Sequence, residues 1–260
     1  MTSNGLDLTK RTQNSGGVFA PNLGENVSNS KAAPLPRKQL YQGKYICLEP
    51  VDPQRDAGDL YRISHADPER RRIWTYIPMA GPFLSVGAMR TWLQSCQDHE
   101  DYLFLTVRDK ISGRAIGMTS FASIVPPMRR LELAFIWYGP EYHKTRVNTE
   151  AIYLMLGEAF DYCGNRRVEW KCDALNRPSR RAALRLGFNF EGLFAQHMIV
   201  NGRNRDTAWF AMLDRQWPRI KHNMHLWLYE NPDCLSLTAM NKQVLEMAPV
   251  LDGNDSPAGG

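Results

Sequence analysis

Residues 137–151 read WYGPEYHKTRVNTEA, the end of a strand, a short polar loop and the start of a helix. The first turn of a helix leaves backbone N–H groups unpaired and carries the positive end of the helix dipole. A loop such as His143-Lys144-Thr145-Arg146 can therefore wrap a pyrophosphate in backbone donors, with Lys144 and Arg146 adding charge. An ordinary strand-to-helix turn with solvated basic residues has the same composition. A second constellation lies in residues 173–188, DALNRPSRRAALRLGF, where Asn176 and Ser179 stand three apart at the start of another helix. That spacing puts both side chains on one side of the turn. Helix capping favours the same residue types, so both readings stand, and Arg180 and Arg181 read as surface residues. The sequence holds no HxH, HExxH or grouped carboxylates at ligand spacing, so no metal is expected.

Two strand-to-helix junctions imply a sheet that positions them. Residues 44–49 (KYICLE) read as a strand, 52–65 as a helix, and 85–97 as a second helix capped by Ser85. Residues 102–107, 114–125 and 131–138 form a meander of three antiparallel strands, with turn chemistry at 109–113 and a break at Pro126-Pro127. The period then changes. Residues 148–162 read as a helix, 168–172 as a strand and 178–186 as a helix, followed by strands over 188–200 and 207–213. Asn201-Gly202 is a hairpin signal. Residues 216–229 repeat apolar positions every three to four. The fold class is mixed α/β, one domain around a central, mostly antiparallel sheet flanked by helices. Residues 1–36 are expected to be a disordered tail, 37–230 the domain, and 231–260 a partly disordered extension in which LSLTAMNKQVLEM can form a short helix.

The 260 residues are 43% hydrophobic and 23% charged with a formal net charge of +5, which excludes collagen-like and wholly disordered classes. So mild a basic excess does not imply nucleic acid as a partner. No apolar run approaches the ~20 residues of a membrane span, and the start of the chain lacks a signal-peptide core. Five scattered cysteines without a CxxC pair fit a reduced compartment, so a cytoplasmic location is expected.

Taken together, several short words resemble the GCN5-related N-acetyltransferase (GNAT) superfamily, in particular its RimJ/RimL-like branch. They are Trp74-Thr75-Tyr76 with Gly81-Pro82-Phe83, Leu131-Glu132, Thr145-Arg146 with Thr149-Glu150-Ala151, and 169–176 with Ser179-Arg180-Arg181-Ala182. Leu186-Gly187-Phe188, Phe190-Glu191-Gly192 and 202–209 complete the set, in order. The resemblance implies acetyl-CoA as co-substrate and acetyl transfer to a primary amine, either a small molecule or a protein N-terminus. A non-catalytic acyl-CoA-binding protein is the alternative from a different class. It also implies a CoA site at His143, Lys144, Thr145, Arg146, Val147, Asn148 and Thr149, although His143, Arg146 and Asn148 all depart from the superfamily's Gln/Arg-x-x-Gly-x-Gly/Ala. Without those glycines the loop is expected to keep to ordinary backbone conformations.

The third strand, at Phe135, Ile136 and Trp137, would offer a backbone N–H to the acetyl carbonyl, and Asn176 would contact the pantetheine arm. The tyrosine acid common in the superfamily is replaced by Ala183, and the RimL-like branch has a serine where Ser179 stands, so the resemblance implies Ser179 as the candidate partner of the departing thiolate. Glu132 is the candidate base, with a solvent-facing charge as the plain reading. Asp173 is a second cleft candidate, and Glu150 suits the helix dipole. Trp74 and Tyr76 would shape an amine pocket or pack in the core, and His65 and His99 read as surface residues.

Overall fold

A computed structural model describes residues 23–78, 80–230 and 236–246. The chain divides into two compact units, Met1–Lys31 and Ala32–Gly260. The described part of the first, residues 23–31, contains no helix or strand. Within the second unit, the Ala33 amide donates to the Pro126 carbonyl at 3.0 Å and the Ala33 side chain is buried. Arg37 holds Glu158 through its backbone N–H at 2.8 Å and its guanidinium at 2.7 Å.

The second unit is built on one eight-stranded sheet of order β1-β2-β3-β4-β5-β6-β8-β7. The strands are β1 (Tyr41–Gln42), β2 (Ile46–Pro50), β3 (Leu103–Asp109), β4 (Ala115–Val125), β5 (Arg130–Tyr138), β6 (Arg167–Asp173), β7 (Asn189–Val200) and β8 (Arg203–Leu213). Every neighbouring pair is antiparallel except β5 and β6. Residues that alternate along each strand feed two cores, one on each face.

On one face, α1 (Pro53–His65) and α2 (Val86–Gln97) cover the first half of the sheet. Asp52 caps α1 by accepting from the amides of Gln54 and Arg55 at 2.9 and 3.1 Å, and Pro53 fixes the first helical position. Ser85 caps α2 through the Ala88 amide at 3.1 Å. Ala57, Leu60, Ile63, Met89 and Leu93 then pack on Phe104, Met118 and Trp137.

On the other face, α3 (Val147–Leu156) places Val147, Ala151, Ile152 and Met155 with Leu48, Val107, Ile116 and Leu131. The helix expected over 148–162 widens after Leu156 into a π-helical stretch, Gly157–Tyr162, which turns the buried Glu158 onto Arg37. The crossover from β5 through α3 to β6 is what makes that pair parallel. Then come α4 (Arg177–Arg185), α5 (Trp217–His225) with a π-helical stretch Leu226–Glu230, and α6 (Leu237–Glu246). The short helix read in the C-terminal extension is present, and the last residues of the chain lie outside the described ones. Among the described residues no helix is long and apolar enough to cross a membrane.

Candidate active site

The parallel pair β5–β6 is short. It joins Arg130 to Arg167, Leu131 to Val168 and Glu132 to Glu169, and stops there. Beyond Glu132, β5 stays with β4 while β6 stays with β8, so a gap opens between the two strands. The β4–β5 register shifts between the Met118–Trp137 and Ser120–Ala134 pairs. This bulge holds Phe135 at φ +51°, its ring 5.8 Å from Tyr102 and 5.1 Å from Phe104. Phe135, Ile136 and Trp137 thus border the gap on the β5 side, without a strand partner toward β6.

The loop expected to take phosphate leaves the end of β5 and feeds α3. Thr145 Oγ1 donates to the Tyr142 carbonyl at 2.7 Å and accepts from the Val147 amide at 3.3 Å, closing a tight turn. His143 Nε2 lies 3.2 Å from the Tyr138 carbonyl, so this ring braces the loop against the strand. Lys144 sits at φ +60°, in the left-handed region. This corrects the expectation of an ordinary backbone: the loop takes up left-handed geometry at Lys144, while the glycine position occupied by Arg146 is helical at φ −74°.

The amides of Lys144, Thr145, Arg146, Asn148 and Thr149 donate to no acceptor among the described residues. Asn148 Oδ1 is buried without a partner. The Arg185 guanidinium, held by Thr149 Oγ1 at 2.8 Å, makes no ion pair among the described residues, and burial pushes its pKa down. Unpaired donors, a helix N-terminus and an unneutralised guanidinium together suit a pyrophosphate. The Arg146 side chain does something the sequence did not reveal: Nη1 donates to the Leu228 carbonyl at 2.6 Å, tying the segment after α5 to the loop.

On the opposite side of the loop, Glu150 is fully buried. It accepts from the amides of Lys44, Tyr45 and Ile46 at 2.7, 2.8 and 2.8 Å and from the Tyr229 hydroxyl at 2.8 Å. A Cβ on Gly43 would collide with this carboxylate, so a glycine is needed where the β1–β2 hairpin wraps it. The favourable dipole position therefore also serves as the anchor of the hairpin and the C-terminal segment.

Glu132 lies where the gap begins. Its Oε2 accepts from Ser123 Oγ at 3.0 Å and lies 2.9 Å from Lys171 Nζ, whereas Oε1 has no partner among the described residues. Lys171 also reaches Glu169 Oε2 at 3.2 Å and stands 4.1 Å over the Trp209 ring. Burial works to raise the Glu169 pKa, but its hydrogen bond from Arg167 and the Lys171 charge outweigh this and lower it. The sequence carried a signal for Lys171: alternation in VEWKC puts Glu169 and Lys171 on one face of the strand.

Asn176 caps α4, its Oδ1 accepting from the Ser179 amide at 3.1 Å. Capping is therefore real, and the Asn176 amide nitrogen remains for a ligand. Ser179 Oγ accepts from Trp170 Nε1 at 3.0 Å. Burial pushes the Cys172 thiol up, and the neighbouring Ser179 hydroxyl opposes this. Asp173 Oδ1 accepts from the Leu175 amide at 2.8 Å, which occupies it in the turn.

Trp74 is buried, 5.0 Å from Trp137, and both indole N–H groups lack partners among the described residues. Core packing accounts for the Trp74 ring, and its N–H is what it could offer a ligand. The Tyr76 hydroxyl donates to the Leu175 carbonyl at 3.4 Å, linking the segment before α2 to the β6–α4 turn. His65 is not on the surface: it is buried, stacked on Tyr61, with Nε2 accepting from the Phe83 amide at 2.8 Å. Its expected exposure fails because the Gly81-Pro82-Phe83 turn folds back over the end of α1. His99 is exposed as read.

The profile of the acetyltransferase (GNAT) domain matches residues 46–189. The chain belongs to the GNAT acetyltransferase family. A crystal structure of a GCN5-related N-acetyltransferase from Brucella melitensis is 35% identical with a TM-score of 0.78, covering 83% of this chain and all of that one. YdaF of Bacillus subtilis (strain 168), named as a candidate ribosomal N-acetyltransferase, is 28% identical over 105 residues, which span 40% of this chain and 57% of YdaF. Mycobacterium smegmatis RimJ, solved with CoA-disulfide, shares the fold at TM-score 0.60 and 21% identity, over 72% of this chain and 90% of RimJ. The β5–β6 gap, the loop into α3 and the start of α4 all fall inside the GNAT match.

Proposed function

We propose that this GNAT-family protein transfers an acetyl group from acetyl-CoA to a primary amine by direct attack in a ternary complex. The observation that carries the reading is the gap beyond Glu132–Glu169, bordered by a loop with five unpaired amides. The unpaired amides of Lys144, Thr145, Arg146, Asn148 and Thr149 hold the pyrophosphate, and the Asn176 side chain steadies the pantetheine arm. The backbone at residues 135–137 donates to the carbonyl oxygen as charge develops there. Glu132, through Oε1 and a water, takes the proton the amine loses as the C–N bond forms. The Ser179 hydroxyl, whose oxygen accepts from Trp170 Nε1, donates to the sulfur as the C–S bond breaks. Trp74 and Tyr76 border the amine.

The acceptor in this reading is a small-molecule amine. The names of YdaF and RimJ favour a second, the N-terminus of a ribosomal protein. Thiol release from acetyl-CoA, measured with a panel of small amines and a panel of short peptides, tests the reading and separates the two. Turnover with either panel supports it. CoA binding without turnover on any acceptor would point to a binding protein on the same fold.

A further inference from the structure

The residues bordering the β5–β6 gap are divided between the two faces of the sheet. Val168, Trp170 and Cys172 of β6 point into the core beneath α3 and α4, as do Leu131 and Leu133 of β5. Alternation therefore turns Glu132, Glu169 and Lys171 to the other face. The loop into α3 belongs to the first face, and so does Ser179, bonded to Trp170 Nε1 at 3.0 Å. A thioester that passes Ser179 into the gap comes out beside Glu132 and Lys171. Lys171 is the first β6 side chain on that face past the Glu132–Glu169 pair, where β5 has parted from β6. Tyr102 ties this amine to the Phe135 end of the gap. Its ring is 5.8 Å from Phe135, and its phenol, pushed up by burial and then by the Glu132 charge, is opposed in this by the Lys171 charge.

Lys171 carries a primary amine, the group that the acetyl transfer consumes. Its Nζ is 2.9 Å from Glu132 Oε2, in direct reach of the base. Glu169 does not depend on Lys171, because Arg167 Nε lies 2.8 Å from Glu169 Oε1 and Arg130 Nη1 lies 3.4 Å from Oε2. The Lys171 charge can thus be lost without leaving the buried Glu169 carboxylate uncompensated. An acetamide at this position keeps an N–H for Glu132 Oε2 and lays a flat group over Trp209, whose ring centre is 4.1 Å from Nζ. We propose that the chain acetylates its own Lys171 when acetyl-CoA is bound and no acceptor fills the site. The Lys171 ammonium cedes one proton to Glu132, which returns it to water. The neutral Nζ attacks the thioester carbonyl, the C–N bond forms and the C–S bond breaks. The second proton that Nζ loses goes to the departing sulfur and gives CoA. The amide product stays in place, so the event happens once per chain. The inference rests on the acetyl-CoA reading above.

Peptide mass spectrometry on the full chain, incubated with acetyl-CoA and no acceptor, tests it, with CoA affinity measured by calorimetry on the same protein. One acetyl group per chain should appear on Lys171, ahead of the exposed Lys38 and Lys110, which report chemical acetylation by the thioester. The rate constant at Lys171 should be unchanged when the protein is diluted and should fall when excess CoA competes, while Lys38 and Lys110 ignore the competitor. Glu132→Gln should slow the Lys171 reaction about a hundredfold or more, as for loss of a proton-transfer group, and leave Lys38 and Lys110 reacting as before. Lys171→Arg should lose this acetyl group altogether. Lys171 unmodified, or modified no faster than the exposed lysines, in a wild type that binds CoA would overturn the self-acetylation while sparing the acetyl-CoA reading. So would a rate constant that falls on dilution, which means transfer between chains, or a wild-type rate in Glu132→Gln. A wild type that binds no CoA would overturn both.

Discussion

Replacing Glu150 should unlock the hairpin, the C-terminal segment and the helix that starts at the loop, all at once. Its Oε1 accepts from the Lys44 amide and the Tyr229 hydroxyl, and its Oε2 from the amides of Tyr45 and Ile46. Glu150→Ala strands four donors. The exposed Lys44 amide can regain water and the Tyr229 hydroxyl can rotate, which leaves the amides of Tyr45 and Ile46 unsatisfied. At ~1–3 kcal/mol for each buried unsatisfied donor, the loss should be about 2–6 kcal/mol. For a domain of this size that corresponds to a fall in Tm of roughly 10 °C. Glu150→Gln keeps the volume and one acceptor oxygen, and its NH₂ can face the Tyr229 oxygen, so it should lose about half as much. Circular dichroism with urea and with heat reads both variants. An Ala variant within about 1 kcal/mol of the wild type, or a Gln variant as damaged as Ala, would refute the assignment of Glu150 as the anchor.

Glu132→Gln should lower turnover strongly at neutral pH, on the order of 10²–10⁴-fold for a proton-transfer group, with partial recovery at high pH, where the amine arrives neutral, and intact CoA affinity. Ser179→Ala should cost less, and a near wild-type pH–rate profile for Glu132→Gln would place the base elsewhere. His65 should make stability pH-dependent. Burial, and then the Arg71 charge, push its pKa below the ordinary 6.5, so the unfolded chain takes up more protons as pH falls through that value. Stability present above 6.5 should therefore decline below it, and a His65→Gln variant with the same decline in Tm between pH 7.5 and 5.5 would contradict this. Deleting residues 1–31 should leave Tm unchanged, whereas deleting 1–37 removes the partner of the buried Glu158 and should lower it. Equal Tm for the two truncations would show that Arg37 and Ala33 contribute nothing.

What was legible in the sequence was local. Ser85 announces its helix because a cap is a contact within three residues, and the Asp52 cap of α1 is equally local. The meander and the final hairpin follow from alternation and turn chemistry. The parallel joint of β5 and β6 and its early end were not legible, because no local pattern says where two strands 37 residues apart stop pairing. Glu150 looked like a first-turn carboxylate because three of its partners lie 104 to 106 residues away. The Arg146 contact to Leu228 is missed for the same reason, being 82 residues long. Glu132 was visible as a charge between two leucines, but the Lys171 and Ser123 that occupy one of its oxygens depend on the sheet order and a bulge. His65 was misread because burial of a lone polar ring at a helix end depends on a turn 16 residues later.

A crystal structure of the chain with CoA bound tests the central claim most directly. The account predicts pyrophosphate density against the unpaired amides of Lys144, Thr145, Arg146, Asn148 and Thr149 and the pantetheine arm between β5 and β6 beyond the Glu132–Glu169 pair. The sulfur should end near Ser179, and Glu132 Oε1 should be open to the space where an amine enters. CoA seated elsewhere on the protein, or a β5–β6 gap filled by side chains in the presence of saturating CoA, would contradict it.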